Sequence, residues 1–252
     1  MNVPIQQDHV RHGALTLFER LLAEADVLVE NFRPGTLEGW GLSYEALKAI
    51  NPRLIMLRIS GYGQTGPYRD RPGHDLNYRG YAGELDQCGA AGGLPAPGNF
   101  QVADLAGGAL TCLAGILAAL YGARASGAGT LVDASMLDGT LALQAIALST
   151  LRVMGDAAPR GQDMLSGALP NYAVYECADG KALAVGALEP KFWMALLQAL
   201  ERPDLARLPA VPGPKGEPLR AALRELFRTR TRDDWEARLA HLDTCVPAVP
   251  TP

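Results

Sequence analysis

Two short apolar runs, VLVE from Val27 and LIMLRIS after Pro52, each follow a stretch with helical spacing, and this alternation leaves few folds open. Leu15, Phe18, Leu21 and Leu22 recur on one helical face before the first run. Ser43 is placed to cap YEALKAI before the second, with Pro52 just beyond that helix. Helix and strand in alternation predict an α/β layer with parallel strands, because parallel neighbours need a crossover. TLVDASM reads as a further strand, joining two apolar helices, one after Asp104 and one over Asp138 to Leu151. Both read as core elements.

YAVYECADGKALAVGA has the pattern of a hairpin turning at Asp179 and Gly180, and it opens a smaller region. Pro190 suits the first turn of KFWMALLQALE and puts Glu189 at its entrance. A helix is expected near Leu219 to Phe227, and Thr231 with Asp234 resembles a cap for another. The predicted organisation is a large α/β region over residues 1–160 and a smaller α+β region over 161–252.

A formal net charge of -4 gives no general electrostatic reason to bind nucleic acid or an anionic membrane, which makes small-molecule chemistry the default. Cys88, Cys112, Cys177 and Cys245 show no metal-ligand spacing and read as reduced thiols. MNVPIQQDHVRHG lacks the pattern of a secretory signal, so a cytoplasmic location is expected. Leu105 to Tyr121 reaches the lower edge of what a membrane-spanning helix requires. Asp104 before it, Thr111 within it and the lack of aromatic anchors at both ends favour a core helix instead.

Two segments favour shaped loops: GYGQTGPYRDRPG, and CGAAGGLPAPGN at residues 88–99. The first leads to His74 and Asp75, and the second precedes Asp104. An imidazole titrates near neutrality and can act as a general base, and a carboxylate beside an apolar pocket can be tuned to similar work. The same residues have plainer readings. His74 can be a loop histidine satisfied by a backbone group, Asp104 and Glu189 can complement helix dipoles, and Asp75 can cap LNYRGYAG.

The stretch from ADVLVENFRPG through GYGQTGPYRDRPGHDLNY resembles the acyl-CoA-binding part of family III CoA-transferases and related racemases. VADLAGGALTCLAGILAAL, GTLVDASMLDG, GQDMLSGALPNYAVYECADGK and AVGALEPKFW follow in that superfamily's order. GHD, ADLAGG and GALEP together resemble its alpha-methylacyl-CoA racemase branch. The resemblance implies a Rossmann-like large domain, incomplete here because the opening and the ending depart from the family pattern, and a homodimer in the complete fold.

It also implies an enzyme acting on an acyl-CoA thioester, with His74 and Asp104 as opposed proton-transfer bases and Glu189 tuning His74. An amide at Asp75, at a helix start, is the expected donor to the enolate oxygen. Arg33 and Arg58 are candidates for CoA phosphates, with surface or packing roles as alternatives, and Tyr78 can line the pocket or the core. No metal or catalytic prosthetic group is expected, since CoA arrives with the substrate. Two other functions stay open: a CoA-transferase using Asp104 as nucleophile, and a noncatalytic fragment.

Overall fold

The computed structural model describes residues 4–251, which divide into two compact units. The first comprises the chain up to Asp86 together with Pro97–Gly155, and the second comprises Gln87–Ala96 with the chain from Asp156 onward. The segment 87–96, inside the first region by sequence, therefore belongs with the second unit.

In the first unit, α1 (Pro4–Glu24) leads to β1 (Val27–Glu30). The short α2 (Thr36–Gly39) and then α3 (Tyr44–Ile50) precede β2 (Ile55–Ser60). Ser43 caps α3 as expected, its hydroxyl accepting the Ala46 amide hydrogen at 3.3 Å. Leu22 of α1, Leu37, Leu47, Leu54 and Met56 form one apolar layer beside the sheet. Next come α4 (Asp75–Ala82), α5 (Glu84–Gln87), a π-helical segment (Val102–Leu110), α6 (Thr111–Ser126) and β3 (Leu131–Ser135).

The sheet is parallel in the order β1-β2-β3. Ile55, Met56 and Leu57 of the central strand are almost wholly buried, as expected for a parallel strand covered on both faces.

The helix expected over Asp138 to Leu151 is two helices, α7 (Met136–Leu143) and α8 (Ala145–Met154). The break falls at Gln144, whose side-chain amide donates to the carbonyl of Ala82 at 2.8 Å. Asp104 lies inside the first turn of its helix rather than before it.

The core assignment of the apolar helices holds for one face of α6 and for part of α7, and fails for α8. Cys112 packs with Leu57 and Ala134, but Leu110, Leu113, Leu117 and Tyr121 are exposed, and α8 buries no residue. By length and composition alone, Val102–Ser126 is apolar enough to cross a membrane.

The second unit holds the predicted hairpin, β4 (Tyr172–Glu176) paired antiparallel with β5 (Ala182–Gly186). Gly180 takes a φ of 73° at its turn, the left-handed region that glycine enters without strain. Among the described residues three α-helices follow: α9 (Pro190–Ala199), α10 (Glu217–Phe227) and α11 (Arg232–Leu239). The Thr231 hydroxyl accepts the Asp234 amide hydrogen at 3.2 Å, the cap read from the sequence. Leu183, Leu196, Leu197, Leu219, Leu223, Phe227 and Trp235 make this unit's core, and the Trp235 indole donates to the Phe227 carbonyl at 2.8 Å.

Candidate active site

The three parallel strands of the first unit end at one cavity of about 560 Å³. Asn31 to Pro34 leave β1, Ile59 and Ser60 end β2 with Gly61 and Tyr62 just beyond, and Met136 follows β3, so the cavity sits at the carboxyl ends of the strands. Open α/β sheets bind ligands at such an edge. The loop from Arg69 to His74, Tyr78 of α4 and Asp104 of the π-helical segment complete the wall.

Close packing explains the glycines of this region. A Cβ on Gly61 or Gly73 would meet the Tyr78 ring at 2.4 and 2.6 Å, so both positions make room for that ring. The Tyr78 hydroxyl donates to the Gly73 carbonyl at 2.5 Å and pins the residue just before His74. Asp133 of β3 anchors the start of the same loop by accepting the Gln64 amide hydrogen at 3.0 Å. The Tyr62 ring stands edge-on to Tyr68, Tyr78 and Tyr81, and the Arg71 guanidinium lies 4.2 Å from the Tyr68 ring centroid.

His74 and Asp104, 30 positions apart in sequence, thus share one cavity. The Asp104 carboxyl is held above its ordinary proton affinity, first by partial loss of hydration and then by the neighbouring Asp75 carboxylate, while His74 pulls the other way. His74 is the N-cap residue of α4, with its amide hydrogen accepted by Asn77 Oδ1 at 3.0 Å. Asp75 does not cap its own helix. Its carboxylate reaches the amides of Ala103 and Asp104 instead.

Glu189 is in the second unit, at the N-cap position of α9 before Pro190. It is exposed and its side chain makes no cap hydrogen bond, so capping does not account for the carboxylate. The second unit has an apolar cavity of about 650 Å³ along β4 and β5, lined by Val174, Val185, Arg220 and Cys245 among others. No histidine or carboxylate lines it, whereas the first unit's cavity has both.

Of the candidates for CoA phosphates, Arg33 lines the cavity and donates to the Asp70 carbonyl at 2.6 Å. Arg58 is a correction. Its Nε donates to Glu30 at 2.5 Å, and its two terminal nitrogens donate to Glu38 at 2.5 and 3.2 Å, all at a side chain only 6% exposed. With its fork spent on two carboxylates, it has a structural role. Glu30 also accepts the Phe32 amide hydrogen at 2.7 Å, so the Arg58 cluster shapes the loop from which Arg33 projects.

Among the wall residues not singled out by the sequence are Arg69, Arg71, Ser60 and Tyr62. The arginines have a signal in YRDRPGHD, two cations just ahead of His74. The Ser60 and Tyr62 hydroxyls are buried without a hydrogen-bond partner among the described residues. Among those residues no cluster of His, Cys, Asp and Glu is suited to a metal ion.

The family model for CoA-transferase family III matches residues 8–252. The chain belongs to that family. Members similar to it include human alpha-methylacyl-CoA racemase, 39% identical over 245 residues, and the mouse racemase, 37% identical over 245. These matches cover 95% and 97% of this chain but 62% and 64% of the racemases, so the chain spans somewhat under two thirds of their length. The beta subunit of succinyl-CoA–L-malate CoA-transferase from Chloroflexus aurantiacus is 38% identical over 192 residues, covering 75% of this chain and 47% of that protein. Among solved structures, a CAIB/BAIF family protein from Brucella suis superposes with a TM-score of 0.76 at 32% identity, covering 94% of this family member and 63% of that chain.

Proposed function

We propose that this family III protein interconverts the two configurations of 2-methylacyl-CoA thioesters by two-base proton transfer. The observation that carries the reading is the shared cavity of His74 and Asp104, where Asp104 has a raised proton affinity and Arg33, Arg69 and Arg71 supply positive charge.

A base takes the α-proton from one face, and the electron pair of the broken C–H bond moves to the thioester oxygen as an enolate. The opposite group returns a proton to the other face, which inverts the centre. One group must be basic and the other acidic in each direction, which suits an imidazole opposed to a carboxyl of raised proton affinity. The Asp75 amide, in the first turn of α4, has no acceptor within its helix and is the proposed donor to the enolate oxygen. Glu189 is proposed to tune His74, and the arginines to hold the CoA phosphates. Two copies are proposed to associate in the complete family fold.

The second reading, CoA transfer with Asp104 as nucleophile, draws on the similarity to the Chloroflexus transferase subunit. Incubating the protein with a 2-methylacyl-CoA in deuterium oxide tests the choice. Deuterium entering the α-carbon with loss of configuration supports racemisation. Transfer of CoA to an added acid, with a hydroxylamine-sensitive acyl-enzyme and no α-exchange, would replace that reading with the second.

A further inference from the structure

Asp75 follows His74 directly and opens α4, but its side chain serves another element. Its Oδ1 accepts the amide hydrogens of Ala103 at 2.7 Å and Asp104 at 3.2 Å. Amides in the first turn of a helix lack intrahelical acceptors, and a carboxylate there also complements the helix dipole. The local N-cap residue, Gln101, makes no side-chain cap bond, so a residue 28 positions upstream of Ala103 takes the task.

Arg79 holds the far side of the arrangement. Its buried guanidinium lies 3.4 Å from Asp75 Oδ2 and donates to the carbonyls of Pro97 at 2.8 Å and Phe100 at 3.3 Å, and to Glu84 at 2.6 Å. Pro97 and Phe100 lie on the approach to the π-helical segment. One helix turn therefore grips both the approach and the first turn of the helix that bears Asp104.

We propose that the Asp75 side chain is a positioning residue that locks Asp104 to the helix end carrying His74, so that one carboxylate sets the relation of the two proton-transfer groups. This deepens the function given above, since it takes Asp104 as a proton-transfer group, but its test does not require turnover. The arrangement also places a like charge beside Asp104, consistent with the direction of that residue's proton affinity. The other charged or titratable groups around it include His74, Tyr78 and Arg79 at α4, and Arg33, Tyr62, Arg69 and Arg71 on the cavity wall. Of the elements packed on the π-helical segment, α7 contributes Asp138, β3 contributes Asp133, and α6 has no charge before Arg124.

Nuclear magnetic resonance of the isotopically labelled chain decides the matter in three measurements. In the unaltered chain, the amide nitrogens of Ala103 and Asp104 should shift in step with the titration of the Asp75 carboxyl. No response would overturn the proposal. Asp75→Asn keeps an acceptor oxygen and removes the charge, so the titration midpoint of Asp104 should move down. An unchanged or higher midpoint sinks the idea. Asp75→Ala removes the acceptor, and the Ala103 and Asp104 amides should exchange with solvent about tenfold faster, while unaltered exchange counts against the lock. The first measurement stands even if neither variant folds. Should all three succeed while Asp104→Asn leaves α-proton chemistry untouched from both substrate enantiomers, the racemase reading fails and the positioning role survives.

Discussion

A Cβ added to Gly139 would lie 1.9 Å from the carbonyl oxygen of Gly107, so α7 and the π-helical segment meet backbone to backbone. Gly107 is under the same constraint, since its own Cβ would fall 2.5 Å from the Thr140 hydroxyl. The glycines of ADLAGG and LDG are thus packing requirements that set how closely α7 approaches the helix bearing Asp104.

Gly139→Ala should therefore force the two helices apart and destabilise the chain by about 1–3 kcal/mol, the usual cost of overpacking. Gly122→Ala is the control. It is exposed on α6 with nothing within 4 Å of a new Cβ, and it should stabilise by about 0.5–1 kcal/mol. Denaturant midpoints of the two variants should move in opposite directions, and a common direction would contradict the packing account.

The strands, the hairpin and the caps at Ser43 and Thr231 were legible because their causes are local: apolar runs, turn residues and a hydroxyl before a helix. The break at Gln144 was not legible. No glycine or proline marks it, and its side-chain bond goes to Ala82, 62 positions away. Which of the two roles left open for Arg58 it takes was not legible for the same reason. Its partner Glu30 stands opposite it in the β1–β2 register, a pairing that exists only once the strands are side by side. For the site, motifs marked His74, Asp75 and Asp104, whereas the use of the Asp75 carboxylate depends on a contact between two helices.

The Arg58 correction separates stability from ligand binding. Arg58→Met would leave Glu30, only 3% exposed, as an unpaired buried carboxylate, at a cost of about 3–5 kcal/mol. Arg58 also lowers the proton affinity of Glu38, chiefly through their hydrogen bond. That contribution is present above the ordinary glutamate range and is lost as pH falls through the depressed folded value. Acid titration of stability should show this loss in the parent and not in the variant. Arg71→Ala, on the cavity wall, should instead weaken CoA binding by about tenfold or more through a lost charge-assisted contact. Calorimetry and denaturation together check the contrast.

Asp104 carries a stability cost of the opposite sign. Its folded proton affinity is raised, so the folded state holds that proton more tightly than the unfolded chain does. Stability then falls as pH rises from the ordinary aspartate value through the raised one, and above both the cost is complete. Asp104→Asn should be more stable than the parent at neutral pH. The difference should vanish below about pH 4, where both states of the parent are protonated. A variant less stable than its parent at neutral pH would show that the Asp104 carboxylate is favourably held.

The same substitution separates the two catalytic readings, because a base and a nucleophile leave different residual chemistry behind. If His74 and Asp104 address opposite faces of the α-carbon, each single variant keeps one working base. Asp104→Asn should then retain α-deuterium exchange from only the substrate enantiomer whose proton faces His74, while interconversion nearly stops. His74→Ala should retain exchange from only the other enantiomer. Loss of one general base typically costs about 10²–10⁴ in rate, so the disabled direction should fall by that order. If Asp104 is a nucleophile, Asp104→Asn abolishes acyl transfer and the covalent intermediate, and neither variant shows exchange that depends on the enantiomer. Mass spectrometry of both enantiomers in deuterium oxide distinguishes these patterns, and symmetrical loss in both variants would rule out opposed bases.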